Sequence, residues 1–125
     1  ATEKVRREIA PDAHLGRSTH STVEAAAQLA TGADYVLMGP IFRTPSKSGV
    51  MEPLGIQSLR DLMFLRPQGP VVAIGGIDAG NATEVIAAGA NGVAVMRAIF
   101  AAPDPCVAAG DLARAVRKGL ELRGE

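Results

Sequence analysis

The segment Val71–Ile77, read Val-Val-Ala-Ile-Gly-Gly-Ile, constrains the fold of this chain more than any other stretch. Its apolar run is too short for a soluble helix and is typical of a strand that is buried on both faces. The glycine pair Gly75-Gly76 then removes side chains from the carboxyl end of that strand, so a ligand can reach bare backbone amides there. The segment therefore predicts a parallel α/β protein that binds phosphate.

Strand and helix patterns alternate along the remaining sequence, as expected for a parallel sheet with right-handed crossovers. Ser21 is predicted to cap a helix, with Glu24 as its capping-box partner. We expect strands at 14–19, 35–41, 71–74 and 92–96, and helices at 2–9, 21–31, 55–65, 79–88 and 104–122.

A weak internal repeat indicates the size of the structural unit. Gly32-Ala33-Asp34 and Gly89-Ala90-Asn91 each precede a strand, and their first glycines are 57 residues apart. Two strand–helix units of about 28 residues are typical of a (β/α)₈ barrel, although a doubly wound sheet has similar units. Four strands are half a barrel, so residues 1–125 are predicted to form a single domain of about four β/α units.

Composition excludes several classes of partner. Lys plus Arg and Asp plus Glu each number 13, so no overall field attracts nucleic acid or a membrane surface. No apolar run approaches the roughly 18 residues of a membrane span. The lone Cys106 excludes an intrachain disulfide, which is consistent with a cytoplasmic protein.

The first candidate site consists of the turns that follow the third and fourth strands. In barrels, the loops after the last two strands commonly hold a phosphate with backbone amides. These turns would be Gly75-Gly76 and Met96-Arg97. The alternative is that the glycines only permit a tight turn between strand and helix.

The second candidate is the loop after the second strand, which carries Thr44, Ser46 and Lys47. Hydroxyls can donate to phosphoryl oxygens, and an ammonium group can neutralise the charge on a departing pyrophosphate. The alternative is a solvated surface loop, for which these residue types are ordinary. A loop of about 12 residues is longer than a mere connection needs, which favours a functional role.

The third candidate lies at the end of the first strand. Alternation places Ser18 and His20 on one face, so both side chains could enter one site. A histidine can shuttle protons near neutral pH. Alternatively, His20 is a hydrogen-bonded structural residue at the start of a helix. No cysteine and histidine set has the spacing of a metal site.

Taken together, these motifs resemble the thiamine phosphate synthase and TenI family, and their order matches across nearly the whole chain. The chain resembles the carboxyl-terminal half of the family's (β/α)₈ barrel. The matching motifs are Gly-Arg-Ser-Thr-His at 16–20, Gly-Ala-Asp-Tyr-Val at 32–36, Gly-Pro-Ile-Phe at 39–42, Thr-Pro-Ser-Lys at 44–47, Pro-Leu-Gly at 53–55, the 71–77 segment and Gly-Val-Ala-Val at 92–95.

The resemblance implies a transferase of thiamine biosynthesis. Such a synthase joins hydroxymethylpyrimidine diphosphate to thiazole phosphate, and it releases pyrophosphate with the assistance of Mg²⁺. The family's reaction is dissociative: pyrophosphate leaves, and the thiazole nitrogen captures a pyrimidine cation. By position, pyrophosphate would be held by Ser18, Thr44, Ser46 and Lys47, and thiazole phosphate by the turns at Gly75-Gly76 and Met96-Arg97.

The resemblance also implies limits and alternatives. The family's Mg²⁺ ligands lie in the first four strands, so none is expected in this chain. Arg17 and Arg97 depart from the small apolar residue and the serine that synthases usually carry. In the TenI branch, a thiazole tautomerase, a histidine at the position of His20 moves a proton.

A further alternative, from another class, is a half-barrel that binds phosphate without catalysis. Four strands alone would leave the edges and one apolar face of the sheet exposed. The chain is therefore expected to pair with another copy or to lack an amino-terminal half.

Overall fold

The sheet has four parallel strands in chain order. The computed structural model describes residues 2–9, 11–44 and 52–125. The strands are β1 (Gly16–Thr19), β2 (Tyr35–Met38), β3 (Val71–Ile74) and β4 (Gly92–Ala94). The helices of the described residues are α1 (Thr2–Ile9), α2 (Thr22–Ala30), α3 (Ile56–Phe64), α4 (Ala82–Ala87), α5 (Arg97–Phe100) and α6 (Pro105–Leu122). The predicted α/β class and parallel order are confirmed.

Strand β3 and helix α1 have the predicted bounds, whereas β2 and α4 are shorter than the sequence pattern predicts. β2 ends at Met38, although the chain stays beside β3 after it, where the Ile41 amide donates to the carbonyl of Ile74 (2.9 Å). Helix α4 begins three residues later than predicted, since Asn81 accepts a hydrogen bond from the amide of Asp78 (2.9 Å) and closes a turn there. Helix α5 was not predicted, because four residues are too few to give a helical period.

Only one face of the sheet is covered in the part of the chain that the structure describes. On that face, side chains such as Val36, Met38, Val71 and Ala73 are fully buried beneath the helices. The other face, which we call the open face, is formed by the alternate residues Gly16, Ser18, Tyr35, Leu37, Val72, Ile74, Gly92 and Ala94. On it Tyr35 remains 36% exposed and Ile74 39% exposed. Parallel sheets are usually covered on both faces, so the described residues cover only half of what this sheet requires.

The internal repeat has a structural meaning. The carboxylate of Asp34 accepts a hydrogen bond from the amide of Leu15 (2.7 Å), and the amide of Asp34 donates to the carbonyl of Leu15 (2.8 Å). Asn91 repeats this with its side-chain oxygen and its own amide on Val71 (2.9 and 2.8 Å). Each repeated acid or amide therefore ties the start of one strand to the start of its neighbour.

The long helix α6 is the last element of the structure, and it packs against α4. Gly119 is buried there, and a Cβ at this position would lie 2.7 Å from the Cβ of Ile86. Thr83 donates to the carbonyl of Ala115 (2.7 Å). The guanidinium of Arg123 donates to the carbonyl of Ile86 (3.1 Å), so it satisfies an acceptor at the end of α4. These contacts hold the β4 end of the molecule together.

Candidate functional site

The candidate residues collect at one edge of the sheet. The carboxyl ends of parallel strands point the same way, and the registers place Ile74 beside Ala94 and Thr19 beside Met38. The segments that follow the four strands therefore meet at this edge. It carries Ser18, His20, Arg43, Thr44, Gly75, Gly76, Met96 and Arg97.

The glycine pair after β3 allows a close approach between two loops. Gly75 and Gly76 have φ angles of 102° and 66°. A Cβ at Gly76 would lie 2.7 Å from the carbonyl oxygen of Arg43 and 2.8 Å from the Cβ of Phe42. The carbonyl of Gly75 also accepts a hydrogen bond from the Phe42 amide (3.0 Å). The glycines thus permit a tight turn, and they also allow that turn to pack closely against the loop after β2.

The two turns after β3 and β4 present backbone amides that the fold does not use. Among the described residues, the amides of Gly76, Ile77, Arg97 and Ala98 donate to no acceptor. Because β3 and β4 are neighbours, these amides lie at the same edge of the sheet. Backbone amides arranged in this way are suited to an anion such as a phosphate ester.

Asn81 fixes the orientation of the first turn, a role that the sequence analysis did not assign. Its side-chain amide donates to the carbonyl of Gly76 (3.0 Å), while its side-chain oxygen accepts from the amide of Asp78 (2.9 Å). Because the Gly76 carbonyl and the Ile77 amide belong to one planar peptide and point in opposite directions, this bond directs the Ile77 amide away from the Asn81 side chain. The sequence offers one signal for this role, which is that Asn81 follows the Gly75-Gly76 pair by five residues. The helical pattern at 79–88 hides that signal, because it predicts Asn81 inside a helix.

Arg97 is the cationic side chain of the second turn. It is exposed at the first position of α5, and its guanidinium forms no ion pair or hydrogen bond within the described ranges. Met96 beside it is also exposed. The guanidinium is therefore available to an anionic ligand at the turn.

At the end of β1, Ser18 and His20 have different surroundings. Ser18 is exposed on the open face. His20 lies past the end of β1, and its Nδ1 is 3.8 Å from one carboxylate oxygen of Glu24. The other oxygen of this carboxylate accepts a hydrogen bond from the His20 amide (3.3 Å). The structure thus places the imidazole beside the first turn of α2, where Ser21 caps the helix by accepting from the Glu24 amide (3.0 Å). The shared site of Ser18 and His20 stays a prediction.

The loop after β2 enters the site at Arg43 and Thr44. Arg43 is exposed and Thr44 is half-buried. Ser46 and Lys47, the other predicted residues of this loop, lie outside the described residues. Their proposed contacts remain predictions.

The carboxyl group of Asp34 lies at the opposite edge of the sheet. The hydrogen bond from the Leu15 amide lowers the pKa of Asp34, and the nearby Arg6 guanidinium, 2.9 Å away, lowers it further. Because the same bonds tie strand starts together, this perturbation belongs to the architecture and not to the candidate site.

The described residues give Mg²⁺ no site of its own. They contain no group of three or more His, Cys, Asp or Glu side chains that could hold a metal ion. Asp78, which follows the glycine turn, accepts a hydrogen bond from the Gly80 amide (2.8 Å).

None of the described helices has the length and apolar character of a membrane span.

Comparison with known proteins identifies the family. The thiamine monophosphate synthase family (TMP-TENI) matches residues 1–99. The chain belongs to this family. The family resemblance inferred from the sequence is thereby confirmed.

Individual relatives agree with this assignment. Thiamine-phosphate synthase of Geobacillus thermodenitrificans is 49% identical over 118 residues, which are 92% of this chain and 52% of the relative. The Geobacillus kaustophilus enzyme of the same name is 48% identical over 114 residues, 91% of this chain and 51% of the relative. A solved thiamine phosphate pyrophosphorylase from Pyrococcus furiosus superposes with a TM-score of 0.80 at 37% identity, covering 94% of this chain and 55% of the other. The chain therefore spans about half the length of these relatives.

Proposed function

We propose that this chain supplies the phosphate-binding half of a thiamine-phosphate synthase. In the proposed reaction, pyrophosphate leaves the hydroxymethylpyrimidine carbon, and the nitrogen of thiazole phosphate captures the resulting pyrimidine cation. The carbon–oxygen bond to pyrophosphate breaks and a carbon–nitrogen bond forms. The observation that carries the proposal is the pair of neighbouring turns with unused amides, in a chain whose relatives at 48–49% identity are named thiamine-phosphate synthases.

The turn residues would hold thiazole phosphate. The amides at Gly76 and Arg97 would donate to phosphate oxygens, while the exposed guanidinium of Arg97 would add a charge-assisted contact. Gly75 and Met96 would shape the two turns. Anchoring a remote phosphate fixes the thiazole nitrogen relative to the pyrimidine, which lowers the entropic part of the barrier.

The loop after β2 and the end of β1 would hold the departing pyrophosphate. Hydroxyl groups of Ser18, Thr44 and Ser46 would donate to its oxygens, and Lys47 would neutralise the charge that develops as the bond breaks. Stabilising charge in the transition state is the largest single contribution to many enzymatic rates. Lys47 is therefore proposed as the catalytic residue of this chain for synthase chemistry.

Mg²⁺ would neutralise the diphosphate when bound, but no step is assigned to it because the described residues do not form a metal site. The family resemblance places its ligands in the other half of the protein. We further propose that the sheet is half of a TIM barrel and that residues 1–125 act as one domain in the cytoplasm. Its partners would be small phosphate and diphosphate substrates, without nucleic acid or membrane.

A titration of the isotope-labelled chain with thiazole phosphate tests the proposed phosphate site by NMR. We expect the amide signals of Gly76, Ile77, Arg97 and Ala98 to move and those around Asp34 to stay. Thiazole alcohol, which lacks the phosphate, is the control ligand and should move none of them. Unchanged turn amides at saturating thiazole phosphate would contradict the site.

The TenI-type tautomerase would need His20 as its proton carrier at the substrate. The relatives reported above are named synthases, and His20 contacts Glu24, so neither observation favours this alternative. A non-catalytic phosphate-binding half-barrel would show the same NMR shifts but no turnover after assembly with a second half. Turnover of the assembled protein therefore separates the two classes.

A further inference from the structure

We propose that Arg43 is a further substrate-binding residue, which holds the diphosphate of the pyrimidine substrate. Arg43 stands between the motifs at 39–42 and 44–47, and neither motif assigns it a role. The inference rests on the proposed function, because it names an additional cation for one ligand of that reaction. Its test uses inorganic pyrophosphate and is therefore separate from the test of the thiazole phosphate site.

Backbone hydrogen bonds fix the position of Arg43 at the candidate site. After β2, the amide of Phe42 donates to the carbonyl of Gly75, the residue that follows β3 (3.0 Å). The returning end of the same loop is tied to this segment, because the amide of Gly55 donates to the carbonyl of Ile41 (2.9 Å). Arg43 is the first residue beyond this hydrogen-bonded base. It therefore lies at the start of the loop that carries the residues proposed for pyrophosphate.

Arg43 also lies close to the glycine turn after β3. A Cβ at Gly76 would lie 2.7 Å from the carbonyl oxygen of Arg43. Adding the bond lengths that connect these atoms to their Cα atoms places the two Cα atoms within about 7 Å of each other. The long stem of an arginine side chain can therefore bring its guanidinium to a ligand between the turn and the loop.

The guanidinium of Arg43 makes no contribution to the fold in the part of the chain that the structure describes. Exposure increases along this segment, since Ile41 is fully buried, Phe42 is partly buried against the core and Arg43 is exposed. Among the described residues, the guanidinium forms no ion pair or hydrogen bond. Asp78, the acid that follows the glycine turn, accepts instead from the Gly80 amide (2.8 Å). The Arg43 cation is therefore available to an anionic ligand.

The position of Arg43 favours the diphosphate over thiazole phosphate. The strand order β2-β3-β4 places Arg43 and Arg97 on opposite sides of the glycine turn. Arg97 belongs to a turn proposed for thiazole phosphate, whereas Arg43 directly precedes Thr44 in the loop proposed for pyrophosphate. A diphosphate carries more negative charge than a phosphate monoester, so a second cation in addition to Lys47 suits it. A guanidinium can also donate two parallel hydrogen bonds to phosphoryl oxygens.

Calorimetric titration of the 125-residue chain with inorganic pyrophosphate tests the inference. We expect Arg43→Gln to weaken pyrophosphate binding about 10-fold, because a charge-assisted contact is lost. Arg43→Lys keeps the charge without the paired donors, so its affinity should lie between those of Arg43→Gln and the unmodified chain. The affinity of both variants for thiazole phosphate should change by no more than ~2-fold.

Arg60→Gln is the matched control. Arg60 is exposed in the middle of α3 and forms no ion pair within the described ranges, so this change removes the same charge away from the site. It should leave the affinity for pyrophosphate unchanged. The control therefore separates a specific contact from an effect of net charge. Circular dichroism should show an unchanged fold in every variant, because both arginines are exposed.

Three results would overturn the inference. The first is that the unmodified chain does not bind pyrophosphate. The second is that Arg43→Gln weakens pyrophosphate binding no more than Arg60→Gln does. The third is that Arg43→Gln weakens thiazole phosphate binding as much as pyrophosphate binding, or more. Each result can occur while the turn amides of the unmodified chain still respond to thiazole phosphate, so a failure of the inference is distinguishable from a failure of the proposed function.

Discussion

Replacing Gly76 by alanine tests whether the phosphate turn depends on its close contact with the loop after β2. Gly76 has φ 66°, and an added Cβ would meet the carbonyl oxygen of Arg43 at 2.7 Å. Gly124 provides a matched control, because it has φ 85° but no atom within 4 Å of an added Cβ. Both alanines carry the strain of a positive φ, and only the first adds crowding.

The expected magnitudes follow from these two contributions. A positive φ costs an alanine about 1–2 kcal/mol relative to glycine, and the smaller entropy of the unfolded chain returns about 0.4–1 kcal/mol in both variants. Crowding against a backbone oxygen adds about 1–3 kcal/mol for Gly76 alone. The free energy of unfolding should therefore fall by about 1–3 kcal/mol more in Gly76→Ala than in Gly124→Ala.

Urea unfolding of the two variants measures this difference directly, and the NMR titration with thiazole phosphate supplies the functional measurement. Gly76→Ala should lose affinity at least ~10-fold because the turn shifts its amides, whereas Gly124→Ala should keep it. Equal losses of stability in the two variants would refute the argument from the close loop contact. An unchanged affinity in Gly76→Ala would refute the assignment of the amide to the phosphate.

Three further predictions concern charge. The pKa of Asp34 is lowered in the folded chain, so its contribution to stability is complete above its unfolded pKa and disappears as pH falls through the folded pKa. The Asp34→Asn variant should keep the contact with Leu15, because Asn91 makes the same contact with Val71. In unfolding experiments at several pH values, this variant should lose less stability at acidic pH than the unmodified chain does. Arg97→Ser should weaken thiazole phosphate binding about 10-fold and reduce its salt dependence, measured by calorimetry at two ionic strengths. In the protein assembled with a second half, His20→Asn should lower synthase turnover by less than ~10-fold, whereas a loss of ~10²-fold or more would indicate proton transfer by the imidazole.

The fold class was accessible from the sequence because buried parallel strands leave a local signature. The run Val71–Ile74 is apolar at every position and became β3 with the predicted bounds. The repeated Gly-Ala-Asp and Gly-Ala-Asn motifs marked two strand starts, and the structure gives Asp34 and Asn91 the same hydrogen-bonding role. Such patterns depend on residues close in sequence, so they can be recognised without the tertiary structure.

The relation between the loops was decided only by the tertiary structure. The sequence shows Gly75 and Gly76 after a strand, but their packing against Phe42 and Arg43 depends on β2 and β3 being neighbours. The part of Asn81 in orienting the turn also depends on where α4 begins, which the periodicity placed too early. Helix ends are set by individual hydrogen bonds that a repeating pattern does not encode.

The sequence by itself therefore determined the parallel α/β architecture, the family and the residue types available for phosphate. Only the tertiary structure decided that, among the residues it describes, the amides of two neighbouring turns have no acceptor and one face of the sheet is uncovered. The physical reason is the sequence separation of the interacting residues. Apolar periodicity and glycine positions reflect interactions between residues that are close in the sequence. Which amides and apolar side chains remain without partners depends on contacts between residues far apart in the sequence.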